Sequence, residues 1–387
     1  MTGSFAGPTA FRRFMRYLIS PCTVYTGSAA LPHHAVIVNG DRIEALVPVV
    51  AAPTDLPRRD GRHLHLCPGF VDVQLYGGGG VLFSVDPTVA TLQTLGAALR
   101  REGTTSFVPT MPTNSPDMMR AAATAVREAQ GLVPGLLGLH LEGPYINPGK
   151  KGAHQEEFIQ VPTAEGVAEL LRETQDVLRI MTLAPERVPA EVVQQLRRAG
   201  VVLSAGHSLA TYAQATAAFG SQYPTATHLF NAMSGFESRA PGLVGAIYDH
   251  PTALASIIAD GVHCDFAALR ISQKIMGERL FLITDAVDSS DHGAYQFHRE
   301  NNYFVNEQGT LGGSALTMPQ AVANCVRQAG IPFEDALCMA TLYPARLLGL
   351  DGEIGQLSPG SRADLCLLDD NFEVVATAQG GDWQEYR

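Results

Sequence analysis

Four polar residues in this chain, a glutamate, two histidines and an aspartate, each close a short apolar, β-branched run. Glu142 lies in His140-Leu141-Glu142-Gly143-Pro144 and His207 in Ser204-Ala205-Gly206-His207-Ser208. His228 lies in Ala226-Thr227-His228-Leu229-Phe230-Asn231-Ala232-Met233 and Asp285 in Leu282-Ile283-Thr284-Asp285-Ala286. One carboxylate and two imidazoles, Glu142, His207 and His228, form a ligand set for a zinc-like ion with one position left open. Asp285 ends an apolar strand, where an unpaired buried carboxylate would be costly. A place beside a metal ion, handling the proton of an acidified water, removes that objection. Singly, each residue has an ordinary reading: a carboxylate capping a turn, a helix-start histidine, a buried imidazole donating to a carbonyl. Together at strand ends they point to a metal-dependent hydrolase.

Bringing four such groups to one place requires strands that end on a common rim. Eight apolar runs meet that need: Phe70–Leu75, Thr105–Pro109, Leu136–Leu141, Leu178–Leu183, Val201–Ala205, Thr225–Leu229, Ala255–Ala259 and Leu280–Thr284. Helical patterns separate most of them, for example Thr88–Arg101, Ser115–Gln130, Thr163–Thr174 and Pro189–Ala199. Continuous apolar strands alternating with helices indicate a parallel sheet covered on both faces. Eight repeats predict an α/β fold, a closed (β/α)8 TIM barrel, in which chemistry sits past the C-terminal strand ends. Glu142, His207, His228 and Asp285 follow runs three, five, six and eight, as that rule requires. A doubly wound open sheet would bring the ends of runs three and eight together less readily.

Both chain ends read differently. Short alternating segments at Leu18-Ile19, Thr23-Val24-Tyr25, Ala35–Val38 and Arg42–Leu46, broken by Asn39-Gly40-Asp41, carry a hairpin signature. Gly355–Leu357, Asp364–Leu368 and Glu373–Ala376 repeat it near the C-terminus. The expected division is therefore residues 1–67 and 349–387 forming a small β-sandwich around a barrel of residues 68–348. Residues 1–14 read as a disordered lead-in, or as upstream of a true start at Met15.

The 387 residues carry a formal net charge of −11, which argues against nucleic acid or an anionic membrane as partner. An anionic substrate would need a local basic pocket. Six scattered cysteines without a Cys-x-x-Cys pair favour reduced thiols and a cytoplasmic protein. No apolar run approaches the roughly 20 residues of a membrane span.

The motifs go further. Pro68-Gly69-Phe70-Val71-Asp72, the run ending Glu142-Gly143-Pro144, Lys150-Lys151-Gly152-Ala153-His154 and Ala205-Gly206-His207-Ser208 resemble the N-acetylglucosamine-6-phosphate deacetylases of the amidohydrolase superfamily. So do Thr227–Met233, Pro241-Gly242-Leu243, Ala259–His263, Gly313–Met318 and Ala340–Arg346, and the resemblance runs from about Met15 to the C-terminus. It implies hydrolysis of the acetamide of a phosphorylated amino sugar, in amino-sugar catabolism or recycling. Glu142, His207 and His228 match the family's metal ligands and Asp285 its catalytic acid/base, while His154 matches a histidine on the acetyl carbonyl. Ala153, Asn231, Ala232, Leu311, Gly312, Gly313 and Ser314 match sugar- and phosphate-contacting segments. Arg239 and His263 match phosphate-pocket residues, and the arginine position implies a homodimer, because in the family it reaches into the neighbouring subunit's site.

One departure stands out. Two-metal amidohydrolases carry His-x-His after the first barrel strand and this family often Gln-x-Asn, whereas this chain has Gln74-Leu75-Tyr76. Amide and phenol are poor zinc ligands, so one metal ion per subunit is expected: zinc first, with iron, manganese or cobalt also suitable. Tyr76 would line the cleft or pack against Gly77–Gly80. Rival readings are a deacetylase for the galacto epimer, another amidohydrolase reaction, or a non-catalytic scaffold. Lys150, Lys151, Arg239 and His263 argue for a phosphorylated substrate, and the complete set of four site groups argues against a scaffold.

Overall fold

A computed structural model describes residues 16–220 and 222–386; the expected lead-in and the alternative start at Met15 lie outside the described residues. The eight apolar runs form eight parallel strands: β1 (Phe70–Leu75), β2 (Thr104–Pro112), β3 (Leu139–Glu142), β4 (Leu178–Leu183), β5 (Val202–Ala205), β6 (Thr225–Ala226), β7 (Leu254–Ile257) and β8 (Leu280–Leu282). Each pairs with the next in chain order. All residues of β1 and β2 are buried, as strands covered on both faces must be.

The ring closes between β8 and β1 through a few bonds rather than a ladder. Asp285 N–H donates to the Gln74 carbonyl at 3.0 Å and Tyr76 N–H to the Ala286 carbonyl at 2.7 Å. Below them the Thr284 hydroxyl donates to the Asp72 carboxylate at 2.5 Å. The seam thus joins the end of the strand carrying Asp285 to Gln74 and Tyr76.

Helices cover the barrel, among them α1 (Val89–Arg101), α2 (Pro116–Ala129), α3 (Ala164–Thr174) and α4 (Ala190–Arg198). The first three start at the capping hydroxyls of Thr88, Ser115 and Thr163, which satisfy otherwise orphaned helix N–H groups. Each cap fixes where a rim loop gives way to its helix.

The second sheet draws on both chain ends. Arg16–Tyr25, Ala30–Asn39, Arg42–Pro48, Arg58–Arg59 and His65–Pro68 come from the N-terminal side, and Leu365–Leu368, Val374–Gln379 and Asp382–Glu385 from the C-terminal side. They join where Leu365–Leu368 runs antiparallel to His65–Pro68. Tyr17, Ile19, Val36, Val38, Leu66, Leu365 and Leu367 share one core, while Leu18, Ala35 and Ile37 pack on the opposite face, the period-two alternation seen in the sequence. The strand expected at Gly355–Leu357 does not form. Gly355 adopts φ +79°, where a Cβ would lie 2.7 Å from the Thr341 carbonyl oxygen, so the chain turns there and only Leu357 reaches the core.

A three-stranded antiparallel sheet, His298–Glu300, Tyr303–Val305 and Leu311–Ser314, follows β8 and was not anticipated. Among the described residues no helix is long and apolar enough to cross a membrane. All six cysteines are free.

Candidate metal centre and active-site cleft

At the rim, the chain beyond the strands bends sharply. His207, His228 and Asp285 adopt φ values of +46°, +38° and +54°, a left-handed region that costs non-glycine residues roughly 1–2 kcal/mol each. Such strain persists where the surrounding structure fixes a side chain for a purpose. Glu142 ends β3 itself, followed by Gly143, where any Cβ would meet the Thr113 hydroxyl at 2.0 Å. A glycine there lets the β3 loop press against the loop after β2.

These four groups open on one cleft of about 270 Å³, a size suited to a small molecule. His207 Nδ1–H donates to the Lys150 carbonyl at 2.8 Å, which fixes the ring with Nε2 facing the site. That nitrogen lies 3.2 Å from Glu142 Oε1 and 3.1 Å from His228 Nε2, and His228 Nε2 is 3.1 Å from Glu142 Oε1. A tetrahedral shell with bonds of about 2.0–2.1 Å has edges of about 3.3–3.4 Å, close to all three separations. The donor set and its spacing therefore fit a divalent ion held by Glu142, His207 and His228.

His154 is the fourth group in contact, and Glu142, His154 and His207 each bring a ligand-type atom within 4.8 Å of the others. Its protonation state argues against a ligand role. The Thr113 N–H donates to His154 Nδ1 at 3.2 Å, so the ring proton sits on Nε2, which donates to Glu142 Oε2 at 3.0 Å. Burial lowers the His154 pKa, and the neighbouring His207 adds to this, so the ring stays neutral with that single proton.

The cluster's charges follow from the same contacts. Burial alone would raise the Glu142 carboxyl, but His207, His154 and His228 outweigh it and hold it well below the usual range. Burial would likewise lower His228, yet its hydrogen bond to Glu142 and the charges of Glu142 and Asp285 raise it. Asp285 moves the other way: burial raises it, only partly opposed by His228 and His263. One carboxylate thus stays ionised, and the other holds a proton more readily than an exposed aspartate.

Beneath the centre a polar layer holds the strands in register. His140 Nε2 accepts from the Thr182 hydroxyl at 2.8 Å, and Thr182, Thr227 and Ser204 continue the chain at 2.6 and 2.5 Å. Burial pushes the His140 pKa down to about 4, so it serves this network as a neutral ring.

The remaining expected contact residues divide. Ala153, Asn231, Ala232, His263, Leu311 and Gly312 line the cleft. His263 is aimed by Asp260, whose Oδ2 lies 2.6 Å from His263 Nδ1. Gly313 and Ser314 stand behind the wall: a Cβ on Gly313 would meet Val287 at 2.5 Å, and the Ser314 hydroxyl donates to the Thr284 carbonyl. Lys151 pairs with Glu156 at 2.7 Å, and Lys150 serves the site through its carbonyl; neither lines the cleft. Arg239 is exposed on the loop before the Gly242–Asp249 helix, outside the cleft of its own chain.

Sequence reasoning missed the aromatic wall of Tyr295 and Phe297 and the pair Gln74–Tyr76 as an active part of the centre. Tyr76 does line the cleft, and its hydroxyl also donates to Glu142 Oε2 at 2.5 Å. The alternation in Tyr295-Gln296-Phe297 was the available signal for the wall.

Comparison with known proteins identifies the family. Residues 65–383 match the amidohydrolase family, and residues 16–62 match the NagA composite domain. The chain is 36% identical over 382 residues to N-acetylglucosamine-6-phosphate deacetylase of Haemophilus influenzae, covering 96% of this chain and 100% of that protein. It is also 36% identical over 326 residues to N-acetylgalactosamine-6-phosphate deacetylase of a Shewanella species, covering 82% of each chain. The crystal structure of N-acetylglucosamine-6-phosphate deacetylase from Pasteurella multocida superposes with a TM-score of 0.92 at 36% identity, covering 96% of this chain and 100% of that one. The chain belongs to the amidohydrolase family, within its N-acetylglucosamine-6-phosphate deacetylase branch.

Proposed function

We propose that this enzyme hydrolyses the acetamide of N-acetylglucosamine 6-phosphate, releasing glucosamine 6-phosphate and acetate. The observation that carries the reading is the placement of Asp285 beside the ligand trio: Gln74 Nε2 reaches Glu142 Oε1 at 2.9 Å and Asp285 Oδ1 at 3.0 Å. Glu142, His207 and His228 would hold one divalent ion, zinc in the first place, which when bound acidifies a water and polarises a carbonyl oxygen. Asp285 takes the proton that the attacking water loses and returns it to the nitrogen of the departing amino sugar. His154 Nε2–H, which rests on Glu142 Oε2, would turn to the acetyl oxygen as negative charge develops there, a contribution worth about 2.7–4 kcal/mol in comparable sites, while Tyr76 keeps its hydrogen bond to Glu142. Asn231, Ala232, Leu311 and Gly312 hold the sugar, and His263, aimed by Asp260, faces its phosphate.

Among the described residues, none that lines the cleft of one chain is a permanent cation, which suits poorly a dianionic phosphate on a protein of net charge −11. We therefore assign Arg239 to the site of a second copy in a homodimer. Arg239→Ala is expected to raise KM for the phosphorylated sugar about tenfold or more, leaving turnover of the unphosphorylated sugar unchanged. Free thiols throughout support a cytoplasmic setting.

Initial rates of acetate release from N-acetylglucosamine 6-phosphate, its galacto epimer and the unphosphorylated sugar test the reading. The gluco phosphate is expected to turn over fastest. Equal or faster release from the galacto epimer would transfer the assignment to that substrate, and no release from any of the three would refute it.

A further inference from the structure

The hydroxyl of Tyr76 occupies a decisive place in the centre. Tyr76 is 6% exposed, and its ring packs among Leu82, Val287, Tyr295, Phe297 and Phe304. The hydroxyl at the end of that fixed ring donates to Glu142 Oε2, the oxygen that also accepts from His154 Nε2. Gln74 Nε2 lies 3.0 Å from the Tyr76 oxygen, 2.9 Å from Glu142 Oε1 and 3.0 Å from Asp285 Oδ1. The space between β1, Glu142 and Asp285 is therefore filled by N–H and O–H groups that point at both carboxylates. Such groups turn hydrogens rather than lone pairs toward the carboxylates, an unfavourable lining for a cation. With two donors on Oε2, only Oε1 is presented toward His207 and His228.

We propose that Tyr76 is a positioning residue that locks Glu142 into one-oxygen presentation and, with the Gln74 amide, seals the adjacent space against a second ion. The inference rests on reading Glu142, His207 and His228 as the ion's ligands. It goes beyond the count of one ion, because it names the atoms that enforce that count and gives the hydroxyl an effect on affinity.

Metal content and metal affinity test it without any substrate. The wild-type chain, Tyr76→Phe and the double variant Gln74→His with Tyr76→His are stripped, equilibrated with excess cobalt(II), desalted and analysed for metal. Affinity is then read by competition with a chromophoric chelator. The wild type is expected to keep one equivalent, and the double variant, which replaces donors by imidazoles, two. Tyr76→Phe is expected to keep one equivalent bound about 10- to 100-fold more weakly. Tyr76→Phe preserves the ring's packing, and Tyr76→Trp, which removes the hydroxyl differently, should weaken the ion similarly. Undiminished affinity in Tyr76→Phe, or two tight equivalents in the wild type, would overturn the proposal while leaving the ligand reading intact. A wild type that keeps no ion would overturn both.

Discussion

Glu142 and Asp72 are both buried carboxylates on barrel strands, at 2% and 0% exposure, yet their surroundings lead them to opposite states. Glu142, at the rim, faces three imidazoles that hold it ionised against burial. Asp72, at the seam, receives only neutral donors, the Thr284 hydroxyl and the N–H groups of Thr284 and Gln74. Burial outweighs those bonds and lifts its pKa to about 7. Buried charge survives where a cationic or ionisable partner answers it, and otherwise a proton does. Asp285 is buried like Asp72 and raised by that burial, but His228 and His263 oppose the rise; such opposed surroundings suit a group that must both take and give a proton.

Substitutions at the three carboxylates separate these roles. Asp285→Asn should lower kcat by about 10²–10⁴-fold while the ion stays bound, seen by parallel metal analysis and acetate assay. Near-normal turnover in that variant would end the proton-transfer assignment. Glu142→Gln should instead weaken the ion by more than about 100-fold, beyond the loss typical of groups that only support a ligand; chelator competition reads this, and unchanged affinity would remove Glu142 from the ligand set. Asp72→Asn should leave the ion in place and alter the pH dependence of stability. The unfolded chain loses the Asp72 proton near the ordinary value of 3.8 and the folded chain near 7. The folded state therefore holds the extra proton between those values, and its stability falls as pH rises from about 4 to 7, by about 4 kcal/mol from this group. Denaturant titrations across that range should show a shallower fall in the variant, and identical slopes would place the Asp72 pKa elsewhere.

The barrel was legible in the sequence because parallel buried strands leave long apolar runs, and those at Phe70–Leu75 and Leu178–Leu183 coincide with their strands to the residue. The rim placement of Glu142, His207, His228 and Asp285 followed from the same runs, since each polar residue marks where a strand leaves the core. What escaped reading depends on contacts between distant segments. Periodicity cannot tell that Tyr76 points across to Glu142 rather than only toward Gly77–Gly80, nor that Gly313 and Ser314 turn behind the wall while Leu311 and Gly312 face the cleft. The sheet after β8 escaped because its strands are three or four residues long and one, His298–Glu300, is wholly exposed, with no apolar alternation to reveal it. Lys150 shows a limit of reading charge as role: its carbonyl orients His207, and its ammonium lies outside the lining.

The central claim is that an ion at Glu142, His207 and His228, with Asp285 beside it, hydrolyses the acetamide. The most direct measurement is acetate release from N-acetylglucosamine 6-phosphate by the protein as purified, after removal of metal by chelation, and after restoration of one equivalent of zinc or cobalt. The account predicts turnover that vanishes on chelation and returns with a single equivalent. Full activity in protein verified to be free of metal would contradict it.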